Sequence, residues 1–339
     1  MRVIDAHAHL ISLDAIAELQ RVLPDAAPRV ERRDDETWIV FPNGRESGPI
    51  PAGMTDVPAR LADMDAASIT TQLLSPPPPF FGYRLDPASA AVQSQVVNES
   101  ALTLAAGDRN RFAVLATLPM QSAADALAEL ERVWSDPSVL GVEVGANIAG
   151  MALDEPALEP IWAALDDRAA LVLVHPAPAD APMYARHFTR NLVGNPADST
   201  LAIATVIFSG LADRYPSIRW VFVHGGGFAP YQIGRWDHAW RSRRSLARHI
   251  DRAPSEYLQG FYFDSLTHDH DALALLADRV GWDHVVLGSD YLFDMADADP
   301  AASVRQHDLD PSTEAAVLGG TLQELIDGVL RVPRQRNAG

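Results

Sequence analysis

The sequence contains no cysteine, and all 27 of its basic residues are arginine, so lysine is absent as well. Without cysteine there are no disulfides, thiolate metal sites or cysteine nucleophiles. Without lysine there is no Schiff-base or pyridoxal-phosphate chemistry, no phosphate-loop lysine and no two-metal centre bridged by a modified lysine. No apolar run is long enough for a transmembrane helix. The opening MRVIDAHAHL reaches charge and histidine too soon for the apolar segment of a signal peptide, so a cytoplasmic protein is expected. The formal net charge of -18 argues against a nucleic-acid partner, which requires a basic footprint. A local arginine cluster could still hold a small anionic substrate. Arginine in place of lysine, beside abundant alanine, also fits a bias in genome composition.

What is present is an ordinary globular composition: 339 residues, 47% hydrophobic and 21% charged, with 25 Pro and 21 Gly. Eight short β-type runs are expected at Val3–His7, Thr70–Ser75, Phe112–Leu118, Leu140–Gly145, Leu171–His175, Ile218–His224, Gly260–Ser265 and His284–Asp290. Stretches with helical apolar spacing lie between them, among them Ser89–Ala106, Ala123–Trp134, Pro156–Leu165 and Ala197–Tyr215. Strand and helix alternating in this way point to a (β/α)8 TIM barrel. A doubly wound sheet is the alternative, but no glycine-rich dinucleotide fingerprint follows any strand. We read residues 1–339 as one domain, in which 11–60 breaks the rhythm, with little regular period, as a cap or lid inserted after the first strand. SPPPPFFGY after the second strand would stiffen another rim loop, and the tail after Arg331 is expected to fray.

The chemistry sits at strand ends. His7 and His9 are two residues apart, so on a strand they share one face, roughly 7 Å apart at their Cα atoms. His175 ends LVLVH, His224 ends WVFVH and Asp290 ends VVLGSD. Any one of these alone is as readily a core histidine or a loop aspartate. Together, at the C-terminal mouth of a barrel, they point to a mononuclear metal site. His187, His249 and His307 lie in helical or polar contexts and are expected in solvent. His238 falls on a helix, His268 and His270 follow the seventh strand near the mouth, and His284 belongs to the opposite end.

The chain resembles the metal-dependent decarboxylases of the amidohydrolase superfamily, and among them the aminocarboxymuconate-semialdehyde decarboxylases. The resemblance runs nearly end to end, through IDAHAH, RLADMDAASITTQLLS, RFAVLATLPMQ, GVEVG, LVHP, LVGNPADST, HGGGFAPYQIGR, FYFDSL and VVLGSDY. It implies His7, His9, His175 and Asp290 as ligands of one divalent ion, normally Zn2+ and in some relatives Mn2+. It implies His224 as the catalytic histidine beside that ion, with Asp290 sharing the proton transfer. It further implies a homodimer, with Arg243 reaching a substrate carboxylate in the neighbouring subunit, and Arg45 in the cap as a second carboxylate-binding arginine. Arg235–Arg252, with Trp236 and Trp240 one helical turn apart, could be the dimer face, or could pack on its own barrel.

Three departures fall in the substrate pocket. HPAP and Asn191 stand where the family carries aromatic residues, and GSDYLF lacks the proline found two residues after the aspartate. They imply a substrate other than the muconate semialdehyde. The expected reaction is non-oxidative decarboxylation of a small unsaturated or aromatic carboxylic acid. Metal-dependent hydration or hydrolysis on the same scaffold is the alternative, and a ligand-binding barrel without turnover is a third.

Overall fold

The computed structural model describes residues 2–178, 181–243, 245–291 and 293–334. Strand β1 (Ile4–His9) leads to α1 (Leu13–Val22), then to an antiparallel sheet of β2 (Arg29–Arg33), β3 (Glu36–Val40) and β4 (Glu46–Ser47), and to α2 (Ala52–Thr55) and α3 (Val57–Ala66). Strands and helices then alternate through β5 (Thr71–Ser75), α4 (Pro87–Gly107), β6 (Phe112–Ala116), α5 (Ala123–Trp134), β7 (Val139–Gly145), α6 (Glu159–Asp166) and β8 (Leu171–His175). The second half runs α7 (Asn195–Phe208), α8 (Leu211–Arg214), β9 (Arg219–Phe222), α9 (Ala229–Ser242), α10 (Pro254–Leu258), β10 (Tyr262–Asp264), α11 (His270–Val280) and β11 (Val285–Val286). Helices α12 (Pro300–Arg305), α13 (Pro311–Ala315) and α14 (Thr321–Arg331) complete it.

The parallel strands order as β1-β5-β6-β7-β8-β9-β10-β11. Backbone bonds from Ala6 N to Leu287 O (2.8 Å), from Asp290 N to His7 O (2.9 Å) and from His9 N to Tyr291 O (2.9 Å) bring the last strand back to the first. The result is the expected (β/α)8 barrel. Its strands are covered on both faces, which is why they read as unbroken apolar runs such as LVLVH. Helix α5 shows the complementary pattern: Ser122 caps it by accepting from Asp125 N, and Ala126, Leu130 and Val133 are buried on one stripe.

Several boundaries differ from expectation. β1 extends to His9, and β9 stops at Phe222, leaving His224 in a turn. The helix expected over Ala197–Tyr215 is broken at Gly210, where φ is +74° and an added Cβ would lie 2.7 Å from His249 O. Residues 11–60 are more regular than their sequence suggests. They build α1, the small sheet and α2 around an apolar cluster containing Ile11, Ile16, Leu19, Ile39, Met54 and Phe80. Phe80 belongs to the rim loop after β5, and Phe41 meets it edge-on at 5.7 Å. Phe293, beyond β11, packs on the same cluster and lies 5.3 Å from the His9 ring. The inserted segment is thereby attached to the end of the barrel that carries the histidines.

The tail is also better anchored than expected. Arg334 donates from Nη1 to Trp134 O (2.9 Å) and from Nη2 to Val139 O (2.6 Å). Residues 335–339 lie outside the described residues. Among the described residues no helix is long and apolar enough to cross a membrane.

Candidate metal centre

β1 turns both His7 and His9 inward, fully buried, with their ring centroids 5.0 Å apart and their Nε2 atoms 3.2 Å apart. β8 delivers His175, whose ring lies 5.2 Å from both. His224 arrives differently. It adopts φ +54° and is followed by Gly225, Gly226 and Gly227 at +58°, +73° and +63°. A Cβ at Gly227 would sit 2.2 Å from Pro196 O, so only glycine passes there. This reversal aims the His224 ring at His7 (5.3 Å) and His175 (5.2 Å). Asp290 is likewise left-handed, at φ +56°. Its Oδ1 lies 3.1 Å from His9 Nε2 and 3.4 Å from His7 Nε2, and its Oδ2 lies 3.5 Å from His224 Nε2. His224 and Asp290 are two of ten non-glycine residues at positive φ among the described residues, and each is held in that conformation where it faces the other histidines.

A second layer orients these groups. His7 Nδ1 donates to Asp264 Oδ2 at 2.8 Å, leaving Nε2 with its lone pair directed inward. His175 Nδ1 donates to Pro176 O at 2.9 Å, with the same consequence. Asp5 joins the first and last strands: it accepts from Ser289 Oγ (2.6 Å), Gln72 Nε2 (3.1 Å) and His7 N (3.1 Å). Arg60 is buried behind β1, donating to Gln72 Oε1 (2.9 Å), to Gly53 O (3.1 Å) and to His9 O, with Tyr291 stacked on it at 4.5 Å.

Electrostatics prepare the donors. Burial, reinforced by the neighbouring imidazoles of His9 and His7, holds His175 well below the usual histidine range and therefore neutral. Burial opposes ionisation of Asp290, but His7, His224 and His9 overrule it and hold the carboxyl well below its ordinary value. His224 shows the opposite balance: burial disfavours its charge, yet Asp290 and Asp264 leave its pKa raised. Burial pushes Glu143 up to about 7, against the pull of His9.

The residues fit a divalent cation. His7, His175, His224 and Asp290 present ligand atoms all within 4.8 Å of one another. The Nε2 atoms of His7 and His9 stand 3.2 Å apart, close enough to serve one ion. Asp290 Oδ1 is buried without a hydrogen-bond partner. Imidazole nitrogens with one carboxylate are a donor set that Zn2+ and neighbouring first-row ions accept.

The structure brings together all five strand-end residues expected from sequence. It places the others elsewhere. Arg45 is exposed on the turn between β3 and β4, Arg243 is exposed at the end of α9, and Asn191 is half-buried in the turn before α7. Trp236 and Trp240 do not form a free face: Trp236 meets Phe208 at 6.1 Å and both pack on the chain's own core. His307 is half-buried, stacking on His270 at 4.0 Å and meeting Trp282 at 5.0 Å. His270, at the start of α11, and His268 are both exposed. A groove of about 890 Å3 lies apart from the mouth, between α1, α2 and α4, and its walls include none of the clustered histidines.

Sequence reasoning passed over Asp5, Arg60, Glu143 and Asp264. The signal was available: each is a charge embedded in an apolar strand or inside a covered helix, where burial demands a partner.

A family model described as Amidohydrolase matches residues 4–324. The chain is 32% identical over 274 residues to the 2-amino-3-carboxymuconate-6-semialdehyde decarboxylase of Dictyostelium discoideum, covering 80% of this chain and 76% of that protein. It is 25% identical over 359 residues to the Caenorhabditis elegans protein of the same name, covering 90% and 89%. Among solved structures, a dihydroxybenzoic acid decarboxylase from Polaromonas sp. JS666, with bound manganese and the inhibitor 2-nitroresorcinol, superposes with a TM-score of 0.78. The identity there is 19%, over 96% of this chain and 97% of that one, which speaks to the fold.

Proposed function

Because the chain belongs to the amidohydrolase family, we propose that it is a metal-dependent carboxy-lyase removing CO2, without oxidation, from a small unsaturated or aromatic carboxylic acid. The convergence of His7, His9, His175 and Asp290 on one mouth, with His224 against Asp290, carries this reading. Both muconate-semialdehyde relatives are decarboxylases by name.

A divalent ion held by His7, His9, His175 and Asp290 would supply Lewis acidity and an open position for an oxygen of the substrate. Zn2+ suits three imidazoles and one carboxylate; the related dihydroxybenzoic acid decarboxylase holds manganese. The chain's own groups manage the proton. Loss of CO2 requires the carbon that carries the carboxylate to gain a proton. That step breaks the conjugation locally; cleavage of the C–C bond then returns its electron pair to the π system and releases CO2. His224, half-buried and 3.5 Å from Asp290 through Nε2, is the donor placed to face a substrate. Its Nδ1 has no hydrogen-bond partner, and the Asp290 carboxylate beside Nε2 favours the proton on that nitrogen.

Arg243 and Arg45 are our candidates for the substrate carboxylates, through the bidentate fork arginine offers, with Asn191 as a further candidate substrate contact. An exposed apolar surface supports a homodimer in which Arg243 serves the neighbouring copy. Phe188, Leu192, Leu201, Phe228 and Tyr231 are 52%, 54%, 64%, 42% and 75% exposed. Phe228 N bonds Thr200 Oγ1 at 2.8 Å, which places the start of α9 beside Leu201. Tyr231 and Arg243 share α9. Exposed apolar side chains of this size are the kind of surface that supports an interface. Residues 11–60 would act as a cap over the mouth within a single domain.

The test is CO2 release from a panel of aromatic and conjugated carboxylic acids by Zn- or Mn-loaded protein, repeated after chelation. Metal-dependent release from any member supports the reading. Silence across the panel, with one ion per chain confirmed, overturns it in favour of hydration or hydrolysis.

A further inference from the structure

Glu143 has no part in the proton transfer, yet it lies in the same core. It sits in the middle of β7, paired with Leu173 of β8, and is fully buried. Neither Oε1 nor Oε2 has a hydrogen-bond partner. A carboxylate oxygen and ring nitrogens of His9 and His175 all lie within 4.8 Å of one another. A buried carboxylate approached only by the Ser75 hydroxyl, with no well-formed hydrogen bond on either oxygen, is costly in a protein interior. The groups it faces are two imidazoles assigned to a cation.

We propose that Glu143 is a further ligand of the ion held by His7, His9, His175 and Asp290, entering from the His9–His175 side and raising the site's affinity for Mn2+ relative to Zn2+. The proposal rests on the reading of this cluster as a metal centre. Four protein donors, three imidazoles and one carboxylate, satisfy the low coordination number Zn2+ accepts. Mn2+ is harder and takes more oxygen donors, so a second carboxylate benefits it more. The added negative charge also offsets the ion's charge within a dry core. Zn2+ still binds more tightly in absolute terms, in line with the general order of divalent affinities; Glu143 narrows the gap.

The experiment measures Mn2+ and Zn2+ dissociation constants by chelator competition, with metal per chain counted by mass spectrometry, on the wild type and on Glu143→Gln. The substitution keeps the shape and removes the charge. One ion per wild-type chain is expected. In the variant the Mn2+ affinity falls about 10- to 100-fold and the Zn2+ affinity much less, so their ratio shifts by about tenfold or more. Equal losses for both ions, or none, overturn the proposal and leave the metal centre intact. Two ions per wild-type chain, falling to one in the variant, overturn it in favour of a separate second position. A wild type that binds neither ion overturns the metal centre itself. If Glu143→Gln does not fold, the same ratio is read on Glu143→Asp, whose carboxylate is drawn back by one methylene, and an unchanged ratio there overturns the assignment.

Discussion

Asp264 Oδ2 accepts the Nδ1 proton of His7 at 2.8 Å, while its Oδ1 accepts from Gly225 N at 3.0 Å. One carboxylate, at the end of β10, therefore sets the tautomer of a metal-type histidine from β1 and ties down the glycine turn that aims His224. Asp264→Asn replaces an obligate acceptor with an amide that can present its NH2 to His7. The expected result is a loss of metal affinity of about 10- to 100-fold, read by chelator competition. Unchanged affinity would show that His7 is oriented by packing alone.

His224→Ala separates proton transfer from metal holding. Turnover should fall about 100-fold or more while metal content stays at the wild-type level. Retained turnover would remove His224 from the mechanism; loss of the ion would make it a ligand.

Arg60→Met keeps the apolar stem and removes three donated hydrogen bonds, leaving Gly53 O, His9 O and Gln72 Oε1 unsatisfied in a buried site. Stability should drop by at least about 2 kcal/mol, measured by urea unfolding. A smaller loss would mean that water replaces the guanidinium.

Asp198 Oδ2 accepts from Ala177 N (2.8 Å) and Oδ1 from Asn147 Nδ2 (2.9 Å), yet burial outweighs these bonds and raises its pKa above the ordinary 3.8. The folded state then keeps a proton that the unfolded chain has already lost. Its contribution to stability is complete below pH 3.8 and declines as pH rises through the raised folded value. Asp198→Asn cannot titrate, so its stability relative to wild type should improve as pH rises through that interval. Urea midpoints across acidic pH check this; the opposite trend contradicts the sign.

Leu201→Glu places a charge on the exposed apolar surface beside Phe228. If that surface pairs two copies, light scattering should record a dimer for the wild type and a monomer for the variant, with the barrel's thermal unfolding little changed. A monomeric wild type would end the dimer proposal and, with it, service of Arg243 to a neighbouring site.

The barrel and five of its mouth residues were legible because each rests on a local pattern. A buried parallel strand must be apolar on both faces, so a polar residue closing LVLVH or VVLGSD stands out. The inserted segment 11–60 was less legible. Its small sheet is formed by RVERR and ETWIV, where only part of one face is covered and the apolar period is diluted by surface arginine and glutamate. The long helix expected over Ala197–Tyr215 failed at Gly210, because nothing in its sequence announces the close approach of His249 O.

The alternation of strand and helix, the histidines and aspartate that close apolar strands, and the lack of cysteine and lysine chemistry were legible in the sequence alone, since each follows from residue type and spacing. The tertiary structure decided the rest. Asp264 meets His7 across 257 positions and Asp5 meets Ser289 across 284, contacts that exist only once the last strands return to the first. Whether a buried charge such as Glu143 is paired, orphaned or aimed at an ion depends on which strands become neighbours, and barrel closure, not local sequence, sets that.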